Sequence, residues 1–379
     1  MYVFGSSILD VGNNNYLPGA AVGRANRRYN GIDFPASIPT GRFSNGYNIA
    51  DYVAKEMGFA CSPPAYLSLA PNSSSGPLVP TALATGVSYA SGGAGILDST
   101  NAGNTIPLSK QVHYFGATKA KMVAAVGPRA VDAHLSKSIF LLGIGNNDMY
   151  VFAAAELARN TSAADQRRNA AVLYVSLISN YSATISVQPS PRSGQIIHSF
   201  LFLLFSTTLI LINCFGIAFD EQELYTMGAR KFAIINVGLV GCVPGARVLS
   251  PVGACWGRLN ELAGGFNDVL RSRLAGLTRR LPGLAYSIGD SYGFTRDTLA
   301  DPQASGFADV AAACCGSGRL GGEAECFPNS TLCSDRDRHV FWDRAHLSQR
   351  TAFLVALAFY SGPGKYTVPI NFMELAQSS

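Results

Sequence analysis

Charge and histidine are scarce in this chain. Of 379 residues only 14% are charged and five are His, while 48% are hydrophobic. Such a composition excludes a disordered or highly solvated polypeptide. The formal charge of +5 comes from scattered Lys and Arg, so the basic stripe of a nucleic-acid binder is missing. No internal repeat and no linker interrupts the pattern. No two cysteines have C-x-x-C spacing, which with so few histidines argues against a structural metal site, and no cofactor is expected. A secretory leader is also missing. Met1 is followed at once by Tyr2-Val3-Phe4, without a basic n-region or an apolar h-region.

The interior points to secretion all the same. The eight cysteines are Cys61, Cys214, Cys242, Cys255, Cys314, Cys315, Cys326 and Cys333. Five of them fall between Cys255 and Cys333, in a loop-like stretch rich in Gly, Ser and Pro. Clustering of this kind suits disulfides in an oxidising compartment, although the sequence selects no connectivity and free buried thiols are the alternative. Sequons at Asn72, Asn160, Asn180 and Asn329 agree with an extracellular glycoprotein. The expectation is a secreted protein whose start here is truncated.

Strand and helix patterns alternate along the chain. Tyr2 to Phe4, Val87 to Ala90, Ser138 to Ile144, Phe232 to Val237 and Leu284 to Ile288 are short apolar runs, several ending at Gly, as buried parallel strands do. Helices are expected around Ile49 to Met57, over Ala170 to Ile185 and over Leu347 to Phe359. Leu259, Leu262, Phe266, Leu270, Leu274, Leu277 and Leu281 mark an amphipathic helix. Alternation predicts an α/β fold: a three-layer sandwich with a central parallel sheet flanked by helices. Chemistry then belongs at the turns beyond the carboxyl ends of the strands.

Four clusters lie at such turns. The first is Gly5-Ser6-Ser7, followed by Asp10, Gly12 and Asn13-Asn14-Asn15. A Ser just after a strand can turn its hydroxyl to a crevice and its N–H to a developing oxyanion. The second is Gly92-Gly93-Ala94-Gly95, where backbone can approach a ligand closely. The third, Gly145-Asn146-Asn147-Asp148, offers a side-chain amide donor. The fourth, Asp343-Arg344-Ala345-His346, has the spacing for a carboxylate to hold an imidazole within one turn, as acyl transfer through Ser requires. His113, His134, His198 and His339 have no such setting. Each cluster alone has an ordinary structural reading, as a turn or as surface; their order and spacing carry the argument.

Together the clusters resemble the four blocks of the SGNH hydrolase superfamily, in the wording of the plant GDSL lipase/esterase family. Phe4 to Asn15 is similar to F-G-D-S-x-x-D-x-G-N-N-N, Gly86 to Gly95 to G-V-N-F-A-S-G-G-A-G, Gly145 to Asp148 to G-x-N-D, and Phe341 to Ser348 to F-W-D-x-x-H-P-T. Pro39 to Gly46, Leu224 to Phe232 and Gly241 to Pro244 match further family stretches. The resemblance implies a flavodoxin-like SGNH domain and a secreted serine carboxylic-ester hydrolase cleaving lipid or other acyl esters. Ser7 would be the nucleophile, His346 the base and then the acid, and Asp343 its orienting partner. The oxyanion hole would combine the Ser7 N–H, the Gly93 N–H (favoured over Gly92) and the Asn147 amide. Three departures stand out: Ser6 for the family's Asp, Ser88 for an Asn, and Leu347-Ser348 for Pro-Thr. An acyltransferase of the same fold, or a weakened non-catalytic relic, is the alternative. A monomer acting on a small-molecule or lipid ester is expected.

One stretch does not fit. Between about Val187 and Gln222 the family pattern has no counterpart, and Ile196 to Phe219 is almost wholly apolar. That length reaches a membrane span, but a single span would put Ser7 and His346 on opposite sides of the bilayer. The preferred reading is a single domain over residues 1–379 interrupted by an atypical apolar insertion at 187–222. It is read as intervening sequence translated from a retained intron or a gene-model error. A membrane anchor or a lid is the alternative.

Overall fold

A computed structural model of the chain describes residues 1–73, 76–185 and 224–378. The described strands are β1 (Tyr2–Gly5), β2 (Ile139–Gly143), β3 (Lys231–Ile235), β4 (Ala285–Gly289), β5 (Asp309–Ala313), β6 (Cys315–Gly316), β7 (Thr331–Leu332), β8 (His339–Phe341) and β9 (Thr367–Val368). The central sheet runs β1-β2-β3-β4-β9. Its first four strands are parallel and in register, Tyr2 against Phe140, Phe140 against Phe232 and Phe232 against Tyr286. Only the short edge strand β9 is antiparallel.

The apolar runs of β1 to β3 are buried throughout because both faces of the sheet are covered. On one face Tyr2, Phe4, Phe140, Leu142, Phe232 and Ile234 meet helices Leu108–Val126, Ala163–Ile185 and Gly257–Thr278. On the other, Val3, Leu141, Ala233 and Ile235 meet helices Ile49–Glu56, Gln349–Tyr360 and Phe372–Gln377. This is the three-layer α/β sandwich expected from the pattern.

The anticipated strand at Val87 to Ala90 takes a reduced form. It lies parallel to β1 as an extended segment: the Val3 N–H donates to the Val87 carbonyl (3.0 Å) and the Tyr89 N–H to the Val3 carbonyl (2.7 Å). Only Ser88 forms a bridge with Val3. β1 therefore stands between this segment and β2, so the chain leaves its carboxyl end toward one side and later returns on the other. Open α/β sheets bind ligands at such a switch point, and Ser7 follows β1 by two residues.

The proposed insertion at 187–222, with its apolar run Ile196 to Phe219, lies outside the described residues. Its flanks do not. The Leu224 N–H donates to the Thr184 carbonyl at 3.1 Å and the Tyr225 N–H to the Ile185 carbonyl at 3.2 Å. Among the described residues no helix is long and apolar enough to cross a membrane. Among the described residues three disulfides form, Cys242–Cys255, Cys314–Cys333 and Cys315–Cys326, and Cys61 is a free thiol.

Candidate active site

Gly5 ends β1 at φ +155°, and a Cβ there would stand 2.4 Å from the Gly143 carbonyl oxygen. The turn is therefore open only to glycine. Gln111, fully buried on helix Leu108–Val126, grips it from beneath: its Oε1 accepts the Gly5 N–H at 2.8 Å and its Nε2 donates to the Gly5 carbonyl at 2.9 Å. Ser7 emerges from this clamp.

Asp10 joins the first two clusters. One oxygen accepts the N–H groups of Gly12 and Asn13 at 2.7 and 2.8 Å, and the other accepts the Gly92 N–H at 2.9 Å. Burial pushes its carboxyl up to about 6, against the pull of those backbone donors. Asn13 donates to the Ser88 and Ala90 carbonyls, and Asn14 to the Gly92 carbonyl. Asn13 and Asn14 thus staple the second cluster to the nucleophile turn, while Asn15 donates to the Thr40 carbonyl. Asp148 fastens the third cluster by accepting from the Ile96 and Leu97 N–H groups and the Thr100 hydroxyl.

Asp343 and His346 sit on a loop that follows β8 and closes on itself, the Trp342 N–H donating to the His346 carbonyl at 2.8 Å. The buried Trp342 indole anchors the loop by donating to Asn30 at 2.7 Å. The Cys314 and Cys315 N–H groups bond to the Phe341 and Trp342 carbonyls, so two disulfides brace the strand that bears the base. Ser348, where the family has Thr, caps helix Gln349–Tyr360 through the Thr351 N–H.

Nucleophile, base and carboxylate come together. His346 Nε2 is 2.9 Å from Ser7 Oγ, and His346 Nδ1 is 2.8 Å from both Asp343 oxygens. Asp343 also accepts the Ala345 and His346 N–H groups at 2.9 Å. Burial alone would raise its carboxyl, but the facing His346 and these hydrogen bonds hold it below the ordinary carboxylate range. The Phe43 ring packs on His346 at 4.9 Å between centroids.

The pair opens on a crevice of about 80 Å³ whose lining includes Ile8, Asn147, Tyr150, Asn236, Val240 and Leu347. Asn147 is in the first turn of helix Asn146–Ala158, so a helix N-terminus with its unpaired N–H groups faces the reacting atoms. The Asn147 Nδ2 gives one proton to the Ala94 carbonyl at 2.9 Å, leaving a second N–H. Gly93, at φ +81°, is in the turn just before Ala94 and is not among the crevice-lining residues.

Two of the sequence departures have a visible cost. Ser6 Oγ and Ser88 Oγ are buried without a hydrogen-bond partner. Neither belongs to the Ser7–His346–Asp343 chain.

Sequence reading missed Gln111, Phe43 and Tyr150 as residues of the site. Phe43 had a signal, since it lies inside the Pro39 to Gly46 stretch. Gln111 had none: an amide among the Ser, Lys and His of a mixed helix reads as ordinary until the fold brings it under β1.

A model of the family described as GDSL-like lipase/acylhydrolase matches residues 1–359. The chain is similar to three proteins of Arabidopsis thaliana. It is 34% identical to GDSL esterase/lipase At5g55050, over 100% of this chain and 90% of that protein. It is 32% identical to GDSL esterase/lipase At2g23540, over 99% and 87%, and 31% identical to GDSL esterase/lipase LTL1, over 98% and 88%. With the fold and the site motifs in agreement, the chain belongs to the GDSL-like lipase/acylhydrolase family of ester-bond hydrolases.

Proposed function

We propose that this chain is a secreted serine carboxylic-ester hydrolase that works through an acyl-enzyme on Ser7. The observation that carries the reading is the continuous hydrogen-bond chain Ser7–His346–Asp343 at the mouth of a crevice. Ser7 Oγ attacks the ester carbonyl as its proton passes to His346 Nε2. Asp343 accepts from Nδ1, fixing the tautomer and stabilising the imidazolium. The Ser7 N–H, the Gly93 N–H and the free Asn147 N–H would face the developing oxyanion, each such donor contributing about 3–4 kcal/mol. Collapse expels the alcohol, which takes the proton from Nε2. Water, deprotonated by the same nitrogen, then releases the acid.

Gly93 is preferred to Gly92 because the Gly92 N–H is already held by Asp10. The intact relay favours catalysis over a relic, since the unsatisfied hydroxyls of Ser6 and Ser88 stand outside it. Secretion is supported by the three disulfides and by the sequon residues Asn72, Asn160, Asn180 and Asn329, all of them exposed. Labelling with a fluorophosphonate probe tests the mechanism. The adduct is expected on Ser7; a folded protein that hydrolyses esters with its label elsewhere, or that takes no label, overturns it.

A further inference from the structure

We propose that Ser291 and Thr295 are specificity-determining residues that bind an aliphatic hydroxyl group of the substrate, remote from the ester bond. The inference rests on the ester-hydrolase reading and names its substrate class: esters that also carry a neutral hydroxyl. Both residues line the crevice of Ser7 and His346. They stand one turn apart on helix Ser291–Ala300, at i and i+4, and so share one face of it.

Each is more than nine-tenths buried, Ser291 at 8% exposure and Thr295 at 7%. Among the described residues neither hydroxyl has a hydrogen-bond partner in the protein. Unlike the sealed hydroxyls of Ser6 and Ser88, they stay open to the crevice. Gly238, which also lines it, leaves Ser291 uncovered, since a Cβ there would stand 3.1 Å from Ser291 Oγ. Asn236 adds a third group. Its Nδ2 gives one proton to Asp290 at 2.8 Å and its Oδ1 accepts the Tyr292 N–H at 3.3 Å, leaving one N–H. Buried polar groups are nearly always hydrogen-bonded, so three unspent ones in one crevice call for a ligand.

The fold sets where that ligand group lies. Strands β1 to β4 are adjacent and parallel. Ser7 follows β1, Asn147 follows β2, Asn236 follows β3 and Ser291 follows β4, and all four line the crevice. At about 4.8 Å between neighbouring strands, the Ser291 position lies roughly 14 Å from that of Ser7. Ser291 and Thr295 therefore act on a part of the substrate away from the reacting atoms. The chemistry of that part is equally defined. Among the described residues no Lys, Arg, Asp or Glu lines the crevice, so the group is neutral. A hydroxyl both donates and accepts, and so pairs with another hydroxyl. Water meets such groups in an open crevice, and a substrate that displaces it without replacing its hydrogen bonds loses affinity. A site built this way favours the hydroxylated ester over the analogue that lacks the hydroxyl. That hydroxyl can sit on the acyl chain or on the alcohol.

Matched ester pairs test this, with kcat/KM as the readout. One arm compares p-nitrophenyl esters of ω-hydroxyhexanoic and ω-hydroxydecanoic acid with those of hexanoic and decanoic acid. The other compares the monobutyrates of hexanediol and decanediol with hexyl and decyl butyrate. In at least one arm the wild type should favour the hydroxylated member roughly tenfold, the scale of one or two neutral hydrogen bonds. The arm that responds shows which side of the ester carries the hydroxyl. Ser291→Ala combined with Thr295→Val should lower that ratio at least about threefold, and Thr295→Ser, which keeps the hydroxyl, should retain it. If the double variant does not fold, Gly238→Ala sets a methyl beside Ser291 Oγ and should lower the ratio too. A wild-type ratio near one in both arms overturns the proposal. So does a folded, probe-reactive double variant that keeps the wild-type ratio. Failure of the underlying reading is distinct: no probe adduct on Ser7 and no hydrolysis of any ester.

Discussion

The Asp10 carboxylate accepts the backbone N–H of Gly92 at 2.9 Å. One side chain, three residues after Ser7, thereby fixes the distance between the nucleophile turn and the second glycine turn. It also occupies one of the two glycine N–H groups that could serve the oxyanion. Asp10→Ala would orphan three buried N–H groups, at about 1–3 kcal/mol each. The expected result is a lower Tm together with a fall in kcat larger than any rise in KM. A variant with wild-type kcat and Tm would show that the turn holds itself.

Ser7→Ala should lower kcat by at least about 10³-fold, with Tm unchanged. Ser6→Ala should behave in the opposite manner. Its hydroxyl is buried without a partner, so its removal is expected to raise stability by up to about 1 kcal/mol and to leave kcat within a few-fold. Parallel kinetics and melting curves on the two variants check both. A dead Ser6→Ala enzyme beside an active Ser7→Ala one would move the nucleophile by one position.

Asp343→Asn should lower kcat by about 10⁴-fold through loss of the imidazole's tautomer control. Combined with His346→Ala it should add little, because relay members act as a unit. Stability gives a second reading. The folded carboxyl lies below its ordinary range, so its contribution is present above the unfolded value of about 3.9 and is lost as pH falls through the folded value. The Tm gap between wild type and Asp343→Asn should therefore be full at neutral pH and close in strong acid. A gap that widens on acidification would contradict the charge pairing.

The sequence was most readable where chemistry and periodicity coincide. β1 to β4 and helices Gly257–Thr278 and Gln349–Tyr360 follow from apolar runs and from three- and four-residue spacing, whereas helix Leu108–Val126 escaped notice; the Asp343–His346 pair follows from one turn of backbone. The Val87 to Ala90 segment pairs with β1 but bridges it only at Ser88. Its partner on the outer side is a bridge from Ala65 to the same residue, and an apolar run cannot announce so short a pairing. Helix Asn146–Ala158 escaped notice because it is apolar nearly all round, without a clear polar face. Gln111 and Tyr150 act only through distant segments, so no local pattern marks them.

Residues 184 and 185 are hydrogen-bonded to residues 224 and 225, so the chain already closes on itself across the intervening segment. A deletion of 187 to 222 keeps both pairs of hydrogen-bonding residues in the chain. The proposed outcome is retained ester hydrolysis, an unchanged or higher Tm and a better soluble yield. Lost activity or lost membrane association in the deletion variant would assign the segment a working role.

The hydrogen bond between Ser7 and His346 joins residues 339 positions apart. At about 5–20 residues per second of synthesis, the nucleophile precedes its base by roughly twenty to seventy seconds. During that interval Ser7 is an ordinary alcohol, and even afterwards the loop bearing His346 is braced only once Cys314 and Cys315 have found their partners. The order of synthesis thus acts as a timer: the growing chain carries no base for Ser7 until residue 346 has been made. A ribosome-arrested chain ending before Trp342 should carry a Ser7 that takes no probe.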